Sequence, residues 1–246
     1  MKFLKRLKNL TENERALVFL VSLLAVVFLP IILNWQTFFA HIPGHPLVSG
    51  PYEHQNLRIP WNMDISLYGG YEIPQTIYWM KELRKGNFAL WNPYQGNGQP
   101  LSANLTTGIY NPFKLLLFGL FPYLKTFDYY LLLRFLIAGF GTYLFLKKIL
   151  RSKISHQSAL LGSVAYMFSG YFVLWIAQWS LTADMMIPWI LLGIENLLET
   201  PKLKNIIFLS LAMAAMVLSG NPEAVIVIII FSICYFFYRA YKTCKS

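Results

Sequence analysis

Hydrophobic positions in this chain come in long blocks and not in alternation. Six apolar segments can be drawn, at about 16–34, 127–149, 158–176, 181–198, 206–219 and 223–238. Each approaches the roughly 20 helical residues that a bilayer's hydrocarbon core requires, the fifth being short. A seventh apolar piece, "FKLLLFGLFPYL" at 113–124, is too short to span and reads as a re-entrant or interfacial helix ended by Pro122. The pattern predicts an all-α polytopic membrane protein of about six transmembrane helices. A large first external loop, 35–126, separates the first helix from the five that follow over 127–238.

Polar positions set the orientation. Lys2, Lys5, Arg6, Lys8 and Arg15 precede the first segment; Lys147, Lys148, Arg151 and Lys153 lie between the second and third. Lys202 and Lys204 separate the fourth and fifth, and Arg239, Lys242 and Lys245 follow the sixth. If all six segments span, these residues share one side, which the positive-inside rule makes cytoplasmic. The chain is then a multi-pass cell-membrane protein with a cytoplasmic basic N-terminus at 1–15 and a cytoplasmic tail at 239–246. The first segment follows a basic stretch without an A-x-A-like cleavage site, and reads as an uncleaved anchor.

Composition agrees. Of 246 residues, 56% are hydrophobic and 13% charged, about half the charged share of soluble domains. The net charge of +10 is accounted for by topology and contact with anionic membrane lipids, not by a nucleic-acid partner. Two cysteines, Cys234 and Cys244, and four scattered histidines offer neither a disulfide framework nor a zinc spacing.

Within the loop, "PQTIYWMKELRKGN" reads as a helix. Pro74 stands in its first turn, Ile73, Ile77, Met80 and Leu83 fall at helical spacing, and Gly86 is a stop. Such a helix suits the membrane surface, or equally packing on the rest of the loop. Next comes "LWNPYQGNGQPLSANLTTGIYNP", 90–112, uncharged and dense in turn signals. Trp and Tyr faces stack on sugar rings, and Asn and Gln hydrogen-bond their hydroxyls. The same composition also describes an interfacial aromatic belt with turns.

Around these residues, "GNFALWNPYQGNGQPLSANLTTGIYNP" resembles the signature of the YfhO family of bacterial membrane proteins. "LLRFLIAGFGTYLFLKKI", "SALLGSVAYMFSGYF", "PWILLGIENLL" and "LSGNPEA" are similar to later parts of that family. Family members are usually longer, so the match is to their N-terminal part. The resemblance implies a GT-C-type glycosyltransferase, which moves a sugar from a polyprenyl-phosphate donor to a cell-envelope glycan or polymer at the outer face. It also implies an acidic residue in the first external loop, matched here by Asp64 in "WNMDISLYGGYEIP".

Asp64 is the candidate general base, or a loop carboxylate capping the next turn. No second acid forms a D-x-D pair with it, so a divalent-cation cofactor stays open. Arg134, inside "YYLLLRFLIAG", is the candidate donor-phosphate ligand, since an arginine at that depth carries a function by default. A structural pairing with Asp128 or Asp184 is the alternative. Trp91, Asn92, Asn97, Gln99 and Asn104 are candidate sugar- or acceptor-binding residues, joined by Asp184 and Glu223 near the outer ends of the fourth and sixth segments. Two other functions remain open: a flippase for lipid-linked sugars, and a non-catalytic assembly subunit or fragment.

Overall fold

The computed structural model describes residues 10–33, 35, 36, 38, 71–121, 125–150 and 155–245. Asp64, Pro122, Arg151, Lys153 and the basic residues from Lys2 to Lys8 lie outside the described residues.

The described chain is mostly helical. Thr11 opens α1 (Glu12–Val27) with a capping box: its hydroxyl accepts the Glu14 N–H at 3.3 Å, and the Glu14 carboxylate accepts the Thr11 N–H at 2.7 Å. The apolar run is interrupted at Phe28, two residues before Pro30, which has no N–H for the ladder. It continues as one further turn, α2 (Leu29–Ile32). Then come α3 (Ile73–Arg84), a two-stranded hairpin of β1 (Trp91–Asn92) and β2 (Gln99–Pro100), a 3-10 turn (Leu105–Thr107) and α4 (Pro112–Leu120). The remainder is helical: α5 (Lys125–Leu150), α6 (His156–Met167), α7 (Gly170–Leu174), α8 (Ser180–Asp184), α9 (Ile187–Glu199), α10 (Leu203–Val217) and α11 (Pro222–Lys245).

Among the described residues four stretches are long and apolar enough to cross a membrane: Lys125–Leu150, His156–Leu174, Ser180–Glu199 and Pro222–Lys242. Two of them are bent, at the α6–α7 and α8–α9 junctions. The apolar α10 is shorter, at 15 residues.

α5 is the central post. It packs on α6, α9 and α1, and its small residues set the spacing. A Cβ at Gly139 would lie 2.6 Å from the Met167 sulfur, and one at Gly141 would lie 2.5 Å from the Trp189 indole nitrogen. That indole donates to the Ile137 carbonyl at 2.9 Å, and Ser163 donates to the Gly139 carbonyl at 2.6 Å. The faces α6 and α11 turn outward are apolar, as lipid contact requires.

At one end of the bundle ion pairs tie the helices to one another. Lys147 meets Glu12 at 2.7 Å, Lys148 meets Glu199, and Arg239 grips Glu195 with two nitrogens at 2.5 and 2.7 Å. The segment 71–121 sits on the other end as a cap. Trp79, Met80, Leu101, Ile109 and Phe118 form its core, closed from below by Phe127, Tyr130 and Leu131 of α5 and by Ala177. α3 thus packs within the cap, burying Trp79 and Met80. Gly86, at φ +78°, ends it.

The cap is tied down elsewhere as well. Asn111 accepts the N–H groups of Phe113 and Lys114 at the start of α4 and donates to the Ala215 carbonyl of α10 at 3.2 Å. Gly108, at φ +54°, lies so close to the α10–α11 turn that a Cβ would meet the Ser219 carbonyl oxygen at 2.6 Å.

Candidate functional site

The hairpin pairs Trp91 with Pro100 and Asn92 with Gln99. Its loop reverses through Gly96, Asn97 and Gly98, all left-handed, with φ of 56°, 62° and 104°. Asparagine tolerates that region better than other side-chain-bearing residues, which accounts for Asn97 at the exposed tip. Trp91 lies across Gly98, where a Cβ would come within 2.5 Å of its ring. The loop therefore needs glycine on both sides of Asn97.

Asn92 begins the turn. Its side-chain oxygen accepts the Tyr94 N–H at 3.0 Å, which fixes the amide's orientation because a backbone N–H can only donate. Asn92 is 5% exposed, and among the described residues its side-chain NH2 donates to nothing.

Asn92 belongs to the wall of a cavity of about 250 Å³, lined by Tyr71, Pro74, Tyr78, Asn92, Tyr94 and Gln95. Pro74 and Tyr78 come from one face of α3 and Tyr71 stands two residues before it, at spacings of three and four. Tyr78 and Tyr94 meet edge to face, with centroids 5.5 Å apart. An amide chain braces the wall from behind. Gln75 donates to Gln95 at 2.6 Å, Asn104 donates to the Tyr71 hydroxyl at 2.7 Å, and Thr106 donates to Asn104 at 2.6 Å. Among the described residues no charged side chain lines the cavity.

Charge lies beneath it. Lys114, 1% exposed, meets Glu72 at 2.8 Å and donates to the Thr107 carbonyl at 2.5 Å. Tyr130 has Lys114 6.0 Å from its ring centroid and the Arg134 guanidinium 5.5 Å from it. Arg134, 2% exposed, donates to the Gln178 carbonyl at 2.9 Å, to the Thr182 hydroxyl at 3.2 Å and to the Ile176 carbonyl. Among the described residues its buried Nε has no partner.

The residues singled out by sequence thus take different places. Asn92 lines the cavity and Asn104 braces it. Trp91, Asn97 and Gln99 build the hairpin that carries it. Arg134 lies deeper, with its two terminal nitrogens committed to protein acceptors, so holding a phosphate requires exchanging those bonds. Asp184 accepts from the Tyr171 hydroxyl at 2.8 Å, and that hydroxyl is also 2.9 Å from Ser180. Glu223 is exposed in the first turn of α11. Asp64 lies outside the described residues, so its relation to the cavity is not described.

Tyr71, Tyr78, Tyr94, Gln95 and the Glu72–Lys114 pair were not singled out by sequence. Lys114 had a signal: it is the lone cation in "FKLLLFGL", the same reasoning that marked Arg134. The tyrosines had none, because nothing local says which of 15 would share a cavity. At the far end of α3, hydrogen bonds from Lys85 and then Asn87 hold the Glu82 carboxyl below its usual range, on the exposed side of the cap. Among the described residues no group of His, Cys, Asp and Glu is placed to hold a metal ion.

No known protein family, curated protein or solved structure matches this chain.

Proposed function

We propose that this chain handles a polyprenyl-phosphate-linked sugar at the outer face of a bacterial cell membrane and passes the sugar to a cell-envelope acceptor, as a GT-C-type glycosyltransferase does. The observation that carries the reading is a cavity whose described lining is tyrosines, amides and a proline, Asn92 among them with a side-chain NH2 that no described residue accepts from. That NH2 is open to water in the cavity, so a ligand oxygen that replaces the water gains a net hydrogen bond of about 0.5–1.5 kcal/mol. Tyrosine faces supply the apolar surface for the C–H side of a sugar ring. The cavity is smaller than the roughly 300–1,000 Å³ that encloses drug-sized ligands and is of a size to hold one sugar ring.

In this reading all six apolar segments span, with α1 and α2 together forming the first. The end carrying the Lys147–Glu12, Lys148–Glu199 and Arg239–Glu195 pairs is cytoplasmic and the cap is external. Asp64 is the base that takes the acceptor hydroxyl's proton, a contribution typically of about 10²–10⁴-fold.

The test is turnover of labelled polyprenyl-phosphate sugars by purified protein in detergent, where no transport is possible. Asn92→Asp keeps the oxygen that accepts from Tyr94 and removes the donors, and should raise KM about tenfold. Tyr94→Ala removes a ring that is 84% exposed, so the fold survives, and should act in the same direction. Asp64→Asn should lower kcat by about 10² or more with KM little changed. Parental kinetics in all three variants would sink the proposal.

A further inference from the structure

Arg134 has been weighed above as a phosphate ligand, and its surroundings support a different task. The span holding α6 and α7 and the span holding α8 and α9 are joined by a short non-helical stretch, Trp175 to Trp179. Breaking a helix there leaves carbonyls without helical partners near the membrane surface, where each needs a donor. Arg134 supplies donors to two of them, Ile176 and Gln178, and to the Thr182 hydroxyl in the first turn beyond the break. A planar guanidinium serves several acceptors in fixed directions, which an ammonium cannot.

This stretch is also part of the cap's floor. Ala177 is buried in the cap core, with Ile176 and Trp179 packed against it. Trp179 lies 6.4 Å, ring to ring, from Tyr71, and Tyr71 is a cavity wall held from its other side by Asn104.

We propose that Arg134 is a positioning residue for the cavity, fixing the main chain at 176–178 so that Trp179 bears on Tyr71. The proposal rests on the cavity's being the sugar site only for its effect on binding; the positioning itself does not depend on it. It separates from a phosphate-binding role because the two predict opposite outcomes for ligands that carry only a sugar or only a phosphate.

The experiment compares the full chain with Arg134→Lys, in detergent, by three measurements. Lysine reaches one carbonyl at a time, so amide hydrogen exchange should quicken at 176–179 and also at 71–78 and 91–95. Binding of uncharged methyl hexopyranosides, followed by saturation-transfer NMR, should weaken about tenfold. Binding of sugar-free undecaprenyl phosphate should stay within twofold of the parent.

Unchanged exchange at 71–78 and 91–95 would overturn the proposal, as would a large loss of undecaprenyl-phosphate affinity with exchange unaltered. If no methyl hexopyranoside binds the parent protein, the sugar reading of the cavity fails, while the exchange data still decide the role of Arg134. Trp179→Ala, which leaves Arg134 and its carbonyls in place, should quicken exchange at 71–78 and 91–95 while 176–178 stay as protected as in the parent. If that variant leaves 71–78 as protected as in the parent, Trp179 is not the link.

Discussion

Lys114→Met tests how the cap is held. The Lys114 ammonium is 2.8 Å from Glu72 and 2.5 Å from the Thr107 carbonyl, and both members of the ion pair are almost fully buried. Removing only the lysine strands a buried carboxylate, a loss of about 3–5 kcal/mol. At roughly 2–4 °C per kcal/mol for a chain of this length, the melting temperature should fall by about 6–20 °C.

Glu72→Gln should do less, since an amide oxygen still accepts from Lys114. Replacing both residues, as Glu72→Leu with Lys114→Met, should recover much of the loss, because the second change removes the stranded charge. Thermal unfolding in detergent, followed by the emission of the seven tryptophans, provides the measurement. Two results would refute the reasoning: a melting temperature for Lys114→Met equal to the parent's, or a double variant whose loss is simply the sum of the two single losses.

Gly108→Ala should be the most damaging single methyl in the cap. It places a Cβ at φ +54° and 2.6 Å from the main-chain oxygen of Ser219, so limited proteolysis should cut within 104–121 faster than in the parent. For topology, Cys234 and Cys244 are first changed to Ser. Ser102→Cys in the cap should then react in intact cells with a membrane-impermeant thiol reagent, and Lys204→Cys at the start of α10 should react only after lysis. Labelling of the latter from outside would invert the proposed orientation.

Much of the helical framework was legible in the sequence, because the physics that sets it is local. A bilayer demands runs of about 20 apolar residues whatever they pack against, and Thr11, Asn111, Pro112 and Gly86 mark helix ends through bonds and torsions within a few residues of themselves. The turn-rich stretch from Leu90 to Pro112 was legible in the same way. Its glycines and Asn97 fall where the chain reverses with positive φ.

What each polar residue does in the cap was decided by distance in space. An arginine seven residues beyond Phe127 announces that something must accept its protons, but a lipid phosphate and the carbonyls of Ile176 and Gln178 satisfy it alike. Only the position of a loop more than forty residues downstream shows which acceptors it meets. The buried face of α3 widened for the same reason. Periodicity marked Ile73, Ile77, Met80 and Leu83, all of which pack in or against the cap core, and burial extends to Gln75, Thr76 and Trp79, with Gln75 donating to Gln95 and Lys114 meeting Glu72 just before the helix. Hydrophobic pattern fixes that a helix has a buried face. Which residues occupy it depends on the partners that other segments bring, and those lie beyond the reach of any local window.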